Sequence, residues 1–196
     1  MRSHRAGRWS FDERYAQLLV ENGYQVDCSV TPFVSWKYYK GDPKQSGGTD
    51  YTNFPGAAYF MNLKDISSPG QSTLLEVPVT IADTYGWVNR LVFMFKKLNL
   101  VRRGIMYVFP KKWLRPDGRN LNSMKRLLQH CIQNNHKYVE FMLHSSELMP
   151  GGAPRFKNEF AIKKLYHDLE ILFDKANRDF KGGTLSEFYH AFSNKE

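Results

Sequence analysis

The residue with the clearest chemical potential is His144, which directly follows an apolar segment, residues 138–143, that predicts a β-strand. Side chains just beyond the carboxyl ends of strands are those from which α/β folds build their sites. An imidazole placed there can act as a general acid or base near neutral pH. Ser145, Ser146 and Glu147 follow it and can orient the ring or bind substrate hydroxyls. A single histidine at a strand end can also be an ordinary surface residue, so both interpretations stay open.

Three charged residues in the first part of the chain are further candidates. Arg5 and Arg8 flank Gly7, and a guanidinium can hold a carboxylate through two parallel hydrogen bonds. Asp27 stands within an apolar segment, where a buried carboxylate needs partners. We therefore expect Asp27 to bond Ser29, nearby backbone or an arginine. It either fixes the end of a strand or contributes to substrate binding.

Helix and strand signals alternate along the chain and predict an α/β fold with parallel strands. A capping box, SFDE at residues 10–13, begins the first helix, and Asn22-Gly23 ends it. A second capping box, TLSE at residues 184–187, begins a short last helix. Pro78 makes the strand that contains it an edge strand or an irregular one. The other predicted helices cover residues 87–98, 120–134 and 158–177, and the strands cover residues 24–30, 73–81 and 138–143.

A long stretch, residues 31–72, is rich in glycine, proline and aromatic side chains. Its aromatic content argues against disorder, so we predict an ordered loop over a cleft, in part a hairpin. Aromatic faces suit sugar rings, and we predict Trp36 as a substrate contact.

Composition predicts one packed domain over residues 1–196, because 42% of the side chains are hydrophobic and 15% are aromatic. Cys28 and Cys131 form no CxxC pair, and we expect both to be buried. The net charge of +9 comes from scattered basic pairs, which predicts a solvated surface and disfavours a nucleic-acid partner. The sequence has no apolar run that predicts a transmembrane segment and no signal peptide at its start. The predicted location is therefore cytoplasmic, or it stays unassigned.

Several segments of the chain together carry a family resemblance. They are RAGRW (5–9), YQVDCSVTP (24–32), GTDY (48–51), LEVP (75–78), WLRP (113–116), MLHSSELMPGG (142–152) and TLSEFY (184–189). With these segments the chain resembles the NodB-homology polysaccharide deacetylases, carbohydrate esterase family four, and most closely their WalW-like branch. The resemblance spans essentially the whole chain, and HSSELMPGG is its most specific part.

The resemblance implies a distorted (β/α) barrel that hydrolyses N- or O-acetyl groups of carbohydrates. In the family a divalent metal, often zinc, is held by an aspartate and two histidines from early D-D and H-x-x-x-H motifs. A neighbouring aspartate is the base. The resemblance also implies that Arg5 orients that base and that His144 protonates the leaving amine. Asp27 matches the stretch beside the family's site, where this branch departs from the usual Asp-Trp pattern.

Neither early motif precedes Arg5, and His4 is the only histidine before His130. We therefore expect a partial (β/α) barrel without its N-terminal strands, encoded by an incomplete or degenerate gene. The metal ligands and the base would be absent, and the chain alone would be inactive. Unpaired strand edges would favour self-association or pairing with a separate front half. The alternative is a non-catalytic glycan-binding module that uses the aromatic loop, residues 33–60.

Overall fold

The computed structural model describes residues 2–39, 48–82 and 111–194, together with Met94, Leu98 and Val101. It has a mixed α/β fold that divides into two compact units, Met1–Thr80 with Gly182–Glu196, and Ile81–Lys181. The helices in these ranges are too short or too polar to cross a membrane. The predicted helix over residues 87–98 lies outside the described residues except for Met94 and Leu98. Folding of residues 1–196 as one domain stays a prediction, because the compactness of each unit does not measure cooperativity.

The first unit is built on a sheet of five short strands. They are β1 (Ser3–His4), β2 (Val26–Asp27), β3 (Tyr59–Asn62), β4 (Asp65–Pro69) and β5 (Leu75–Glu76). Their order is β1-β2-β5-β3-β4, with β1, β2 and β5 parallel and β3 and β4 antiparallel to their neighbours. In the parallel part, His4 lies opposite Asp27, which lies opposite Glu76. Three ionisable residues therefore share one level of the sheet.

The first helix, α1 (Glu13–Glu21), begins differently from the prediction. Its N-cap is Asp12, whose carboxylate accepts the Tyr15 backbone N–H at 2.8 Å. The predicted capping box at residues 10–13 is therefore wrong. Ser10 lies two residues before the cap, too far ahead for its hydroxyl to serve the first turn, and the Asp12 carboxylate takes that role.

The termination of α1 is confirmed, since Asn22 is its C-cap and Gly23 has a φ of +74°. The strands that follow are shorter than predicted. Within residues 24–30 the described strand is β2. Residues 73–81 contain β5 and, at their end, Ile81, the first residue of a strand in the second unit, although both segments are largely buried. Strand β5 has neighbours on both sides, so Pro78 marks an irregular end of the strand and not a sheet edge.

The predicted hairpin within residues 31–72 is present as β3 and β4. Gly70 follows this hairpin in close contact with it, because a Cβ at Gly70 would lie 2.5 Å from the Asn62 Cα. The aromatic ring of Phe60 on β3 packs against Tyr189 and Phe192 of the last helix, α4 (Leu185–Ser193). We number the helices α1 to α4 along the described chain, and α2 and α3 belong to the second unit.

The second unit packs α2 (Leu121–Gln133) and α3 (Glu159–Ala176) beside an antiparallel pair, β6 (Ile81–Ala82) and β7 (Lys112–Trp113). Helices α2 and α3 confirm the helices predicted over residues 120–134 and 158–177. The predicted apolar face of α2 is fully buried. The core cluster around it consists of Leu114, Met124, Leu127, Leu128, Cys131 and Leu172.

No strand is described over residues 138–143, where the sequence predicts one. The Met142 N–H donates to the Leu114 carbonyl at 3.1 Å, but this bond is not continued into a ladder among the described residues. A strand requires consecutive ladder bonds, which an apolar run alone does not provide. His144 therefore follows an extended segment that is not a described strand.

Both cysteines are buried, as predicted. Burial raises the pKa of the Cys131 thiol to about 11. This thiol is therefore a packing group of the α2 core and stays protonated at neutral pH.

Thr184→Ala is expected to lower the free energy of unfolding by about 1 kcal/mol. The Thr184 hydroxyl accepts the Glu187 N–H at 3.2 Å, and the Glu187 carboxylate accepts the Thr184 N–H at 2.7 Å, so the capping box is confirmed. Urea unfolding followed by circular dichroism measures the loss. Ser186→Ala, within the same helix, is the matched control and should leave the midpoint nearly unchanged.

Candidate functional site

Asp27 is the centre of a buried polar network in the first unit. Its side chain is fully buried and accepts the Ser29 N–H at 2.8 Å and the Ser29 hydroxyl at 2.9 Å. His4 Nδ1 lies 2.7 Å from Asp27 Oδ1. The Ala6 N–H in turn donates to Ser29 Oγ at 2.8 Å. The expected bond to Ser29 is present, and the second side-chain partner is a histidine instead of an arginine.

Two further segments join this network through buried side chains. The Glu76 carboxylate accepts the Val30 N–H at 2.9 Å, which ties the LEVP segment to the end of β2. The Tyr51 hydroxyl donates to the Trp9 carbonyl at 2.8 Å, which ties the GTDY segment to RAGRW. Burial raises the pKa of Tyr51, so the phenol remains a neutral donor. Four of the segments that carry the family resemblance thus meet in one unit.

The RAGRW segment forms a strained turn. Arg8 and Trp9 are consecutive non-glycine residues in the left-handed region, with φ of +57° and +58°. Each such residue costs free energy that the surrounding contacts must offset. The Tyr51 hydroxyl holds the Trp9 carbonyl, and the Arg5 guanidinium lies 5.6 Å from the centre of the Trp9 ring. Arg5 is exposed on a fixed turn and contacts Trp9, whereas Asp27 bonds His4 and Ser29.

In the second unit, His144 caps a short 3-10 helix, Ser145–Leu148. Glu147 is buried, and one carboxylate oxygen accepts the His144 N–H at 2.8 Å. The other oxygen accepts from Arg115 Nη2 at 3.1 Å. Both oxygens of Glu147, which was predicted to orient the ring or bind substrate hydroxyls, face protein groups. They fix the backbone of the turn and leave the His144 side chain exposed.

Gly151 and Gly152 end the MLHSSELMPGG segment. Gly151 has a φ of +76°, which favours glycine. A Cβ at Gly152 would lie 2.2 Å from the Ser146 carbonyl oxygen. The close approach is therefore to the turn that follows His144, and both glycines are required to fold the loop onto it.

Trp36 lies in the first unit, and its indole N–H donates to the Thr31 hydroxyl at 2.8 Å. Its ring meets Tyr39 edge to face at 5.4 Å. Tyr38 is 92% exposed and Tyr39 is 64% exposed. Trp36 is thus fixed by the protein, and the two tyrosines present aromatic surface to solvent. Residues 40–47 of the predicted aromatic loop lie outside the described residues.

Acid should weaken the anchoring of this aromatic segment through Asp50. Lys37, followed by the Thr52 and Ser35 groups, lowers the pKa of Asp50 to about 2, and Lys37 Nζ lies 2.9 Å from the carboxylate. Because the folded pKa is lowered, the contribution of Asp50 to stability is present above its ordinary pKa, near 4. It is lost as the pH falls towards 2. Thermal unfolding across this pH window should show a smaller acid-induced loss for Asp50→Asn than for the unsubstituted chain.

The residues that the structure describes do not fit the zinc site that the resemblance implies. The described ranges contain no group of three or more His, Cys, Asp or Glu side chains placed to hold a metal. The nearest pair is Asp27 with His4, and their polar atoms already bond Ser29, each other and Tyr15. No catalytic step is therefore assigned to a metal.

The structure brings Asp27 together with His4 and Ser29 in one unit, and Glu147 together with His144 and Arg115 in the other. His4, Ser29 and Arg115 were not predicted as site residues. The one signal for Arg115 was its place in WLRP, whereas the pairing of His4 depends on β1, which no periodicity indicates. Comparison of the chain with protein-family models, curated proteins and solved structures finds no match.

Proposed function

We propose that this chain is a polysaccharide deacetylase-like protein with a partial (β/α) barrel of the NodB type, and that it binds acetylated carbohydrate. The proposal rests on the resemblance of its motif segments to that family. The supporting observation is that RAGRW, YQVDCSVTP, GTDY and LEVP are joined by buried side-chain hydrogen bonds. Residues that resemble family motifs are here also the residues that fix the local structure.

His144 is the group that we propose to act on the substrate. Its turn is fixed by Glu147, whose buried carboxylate bonds the His144 N–H and the Arg115 guanidinium. The imidazole can hydrogen-bond the acetamido group of an N-acetyl amino sugar, at the place where a late histidine protonates the leaving nitrogen in the complete deacetylases that the chain resembles. The fixed backbone limits the imidazole to rotation about its own side-chain bonds, which favours a defined hydrogen bond to the acetamido group.

We expect no acetate release by this chain alone, because the described residues do not fit the metal site. N-acetylated chito-oligosaccharides incubated with the protein and zinc should give the same acetate signal as the blank. Acetate release that is lost in His144→Ala would contradict the proposed inactivity and would establish an active deacetylase.

The exposure of Tyr38 and Tyr39 favours a second candidate, a non-catalytic glycan-binding module. Exposed aromatic rings can stack on the apolar faces of sugars and need neither an acid nor a metal. Such a module would recognise the sugar ring, whereas a deacetylase-like site would recognise the acetamido group.

Two variants distinguish these candidates by their effect on oligosaccharide affinity. A deacetylase-like site predicts weaker binding in His144→Ala and unchanged binding in Tyr38→Ala. The glycan-binding module predicts unchanged binding in His144→Ala and weaker binding in Tyr38→Ala. Isothermal titration calorimetry measures both, and Tyr166→Phe, at a half-exposed position on α3, is a control that neither candidate expects to matter.

A further inference from the structure

A second group of side chains, remote in sequence from His144, has the arrangement of an activated hydroxyl. His4 links the buried Asp27 to the hydroxyl of Tyr15 on α1. His4 Nδ1 lies 2.7 Å from Asp27 Oδ1, and His4 Nε2 lies 2.9 Å from the Tyr15 hydroxyl oxygen. A carboxylate, an imidazole and a hydroxyl in this order are the parts of a general-base-activated nucleophile.

The hydrogen bonds of Asp27 determine the direction of proton transfer. The ionised carboxylate only accepts, so His4 Nδ1 carries the proton of the shared bond. His4 Nε2 then has a free lone pair, and the Tyr15 hydroxyl donates to it. The Ser29 N–H and hydroxyl hold the carboxylate from the other side. The imidazole is therefore fixed in the tautomer that can accept the phenol proton.

Solvent exposure of the side chains increases from Asp27 through His4 to Tyr15. The Asp27 side chain is fully buried, the His4 side chain is 16% exposed and Tyr15 is 37% exposed. The Tyr15 ring is also held in place, since it meets the His4 ring at 4.9 Å and the Phe11 ring at 5.6 Å. The phenol is thus accessible to a ligand while its base and the orienting carboxylate are not freely hydrated.

We propose that Tyr15, His4 and Asp27 form a metal-free acyl-transfer site for small carboxylic esters. The Tyr15 oxygen attacks the ester carbonyl carbon as its proton moves to His4 Nε2. The C–O bond of the ester breaks, the alcohol leaves with the proton from His4, and an acylated Tyr15 remains. Water then attacks the acyl carbon and gives its proton to His4, which returns one to the Tyr15 oxygen as the acid departs. Asp27 is a positioning residue, because it acts on the substrate only through His4.

This site is independent of the proposed function, because it uses neither His144 nor a sugar. The probe is p-nitrophenyl acetate, with release of p-nitrophenol followed by absorbance and the acetylated residue located by peptide mass spectrometry. We expect acetyl on Tyr15 and loss of this product in Tyr15→Phe. His4→Gln should slow acetylation by about 100-fold, the usual contribution of a general base.

The control is Tyr24→Phe, because the Tyr24 ring meets His4 edge to face at 6.0 Å and lies outside the proposed relay. Its acetylation rate should equal that of the unsubstituted chain. In His4→Gly, added imidazole should restore a large part of the rate, which a structural role of His4 does not predict. Circular dichroism of each variant establishes that it is folded, and Tyr15→Phe decides the matter if the His4 variants unfold.

The role of Asp27 is tested by a double-mutant cycle. Asp27→Asn should slow acetylation when His4 is present and have no further effect in the His4→Gln background. Equal effects in both backgrounds would show that Asp27 acts on the fold alone and not through His4. Acetylation confined to lysines, or a rate unchanged in Tyr15→Phe, would overturn the acyl-transfer site whatever the outcome of the oligosaccharide experiments.

Discussion

Asp27→Ala is expected to lower the free energy of unfolding by about 3 to 5 kcal/mol, because two buried Ser29 donors lose a charged acceptor. The carboxylate is fully buried and accepts from Ser29 twice and from His4 once. Without it, the Ser29 groups remain buried without their acceptor, and each such loss costs about 1 to 3 kcal/mol. His4 can turn towards solvent, so the loss of its bond to Asp27 adds less to the destabilisation.

Urea unfolding at neutral pH measures this effect. The matched control is Asp65→Ala, since Asp65 is an exposed aspartate at the start of β4 that bonds the neighbouring Ser67. It should cause a small fraction of the loss seen for Asp27→Ala. Equal losses in the two variants would show that the Asp27 network does not stabilise the first unit.

Glu147→Ala is expected to lower the free energy of unfolding by about 2 kcal/mol, typical of a buried acceptor removed from charged and backbone donors. The loss is smaller than for Asp27 because the Arg115 side chain is 33% exposed and water can solvate its guanidinium. The His144 N–H loses its acceptor as well, so the turn is no longer fixed. We therefore expect weaker binding of acetylated oligosaccharide together with the loss of stability.

Glu147→Gln provides a variant of similar shape that keeps one acceptor oxygen. It should retain part of the affinity for oligosaccharide and part of the stability. Asp174→Ala removes an exposed carboxylate on α3 that pairs with Arg178, just beyond the helix, and it should change neither stability nor affinity. Unaltered affinity in Glu147→Ala would contradict the positioning of His144 by this carboxylate.

The helices were predicted well because their signals are local. The apolar face of α2, the stop at Gly23 and the capping box at Thr184 depend on residues three or four positions apart. The start of α1 was misplaced because Ser10 and Asp12 are both good N-caps, and only the geometry selects between them.

The strands were predicted less well because pairing depends on segments far apart in sequence. Apolar composition predicted strands over residues 24–30 and 73–81, but only two residues of each enter the sheet. The segment over residues 138–143 has similar composition and forms no described strand. Burial of an extended segment and membership of a ladder are separate properties, and composition indicates only the first.

In the candidate site, too, contacts between residues close in sequence were predicted and contacts between distant residues were not. The bond between Asp27 and Ser29 joins residues two positions apart and was predicted from the need of a buried carboxylate for partners. The bond between His4 and Asp27 depends on the register of β1 against β2, which no sequence pattern specified. Likewise, the pairing of Glu147 with Arg115 joins residues 32 positions apart, so the sequence did not indicate that Glu147 fixes the turn.

We propose that the His144 turn recognises acetylated carbohydrate. Calorimetric titration with matched oligosaccharides tests this recognition directly. Chito-oligosaccharides of one length, fully N-acetylated or fully deacetylated, differ only in the acetamido groups. We expect tighter binding of the acetylated form and loss of that preference in His144→Ala. Equal affinity for the two forms, or a preference that survives in His144→Ala, would contradict it.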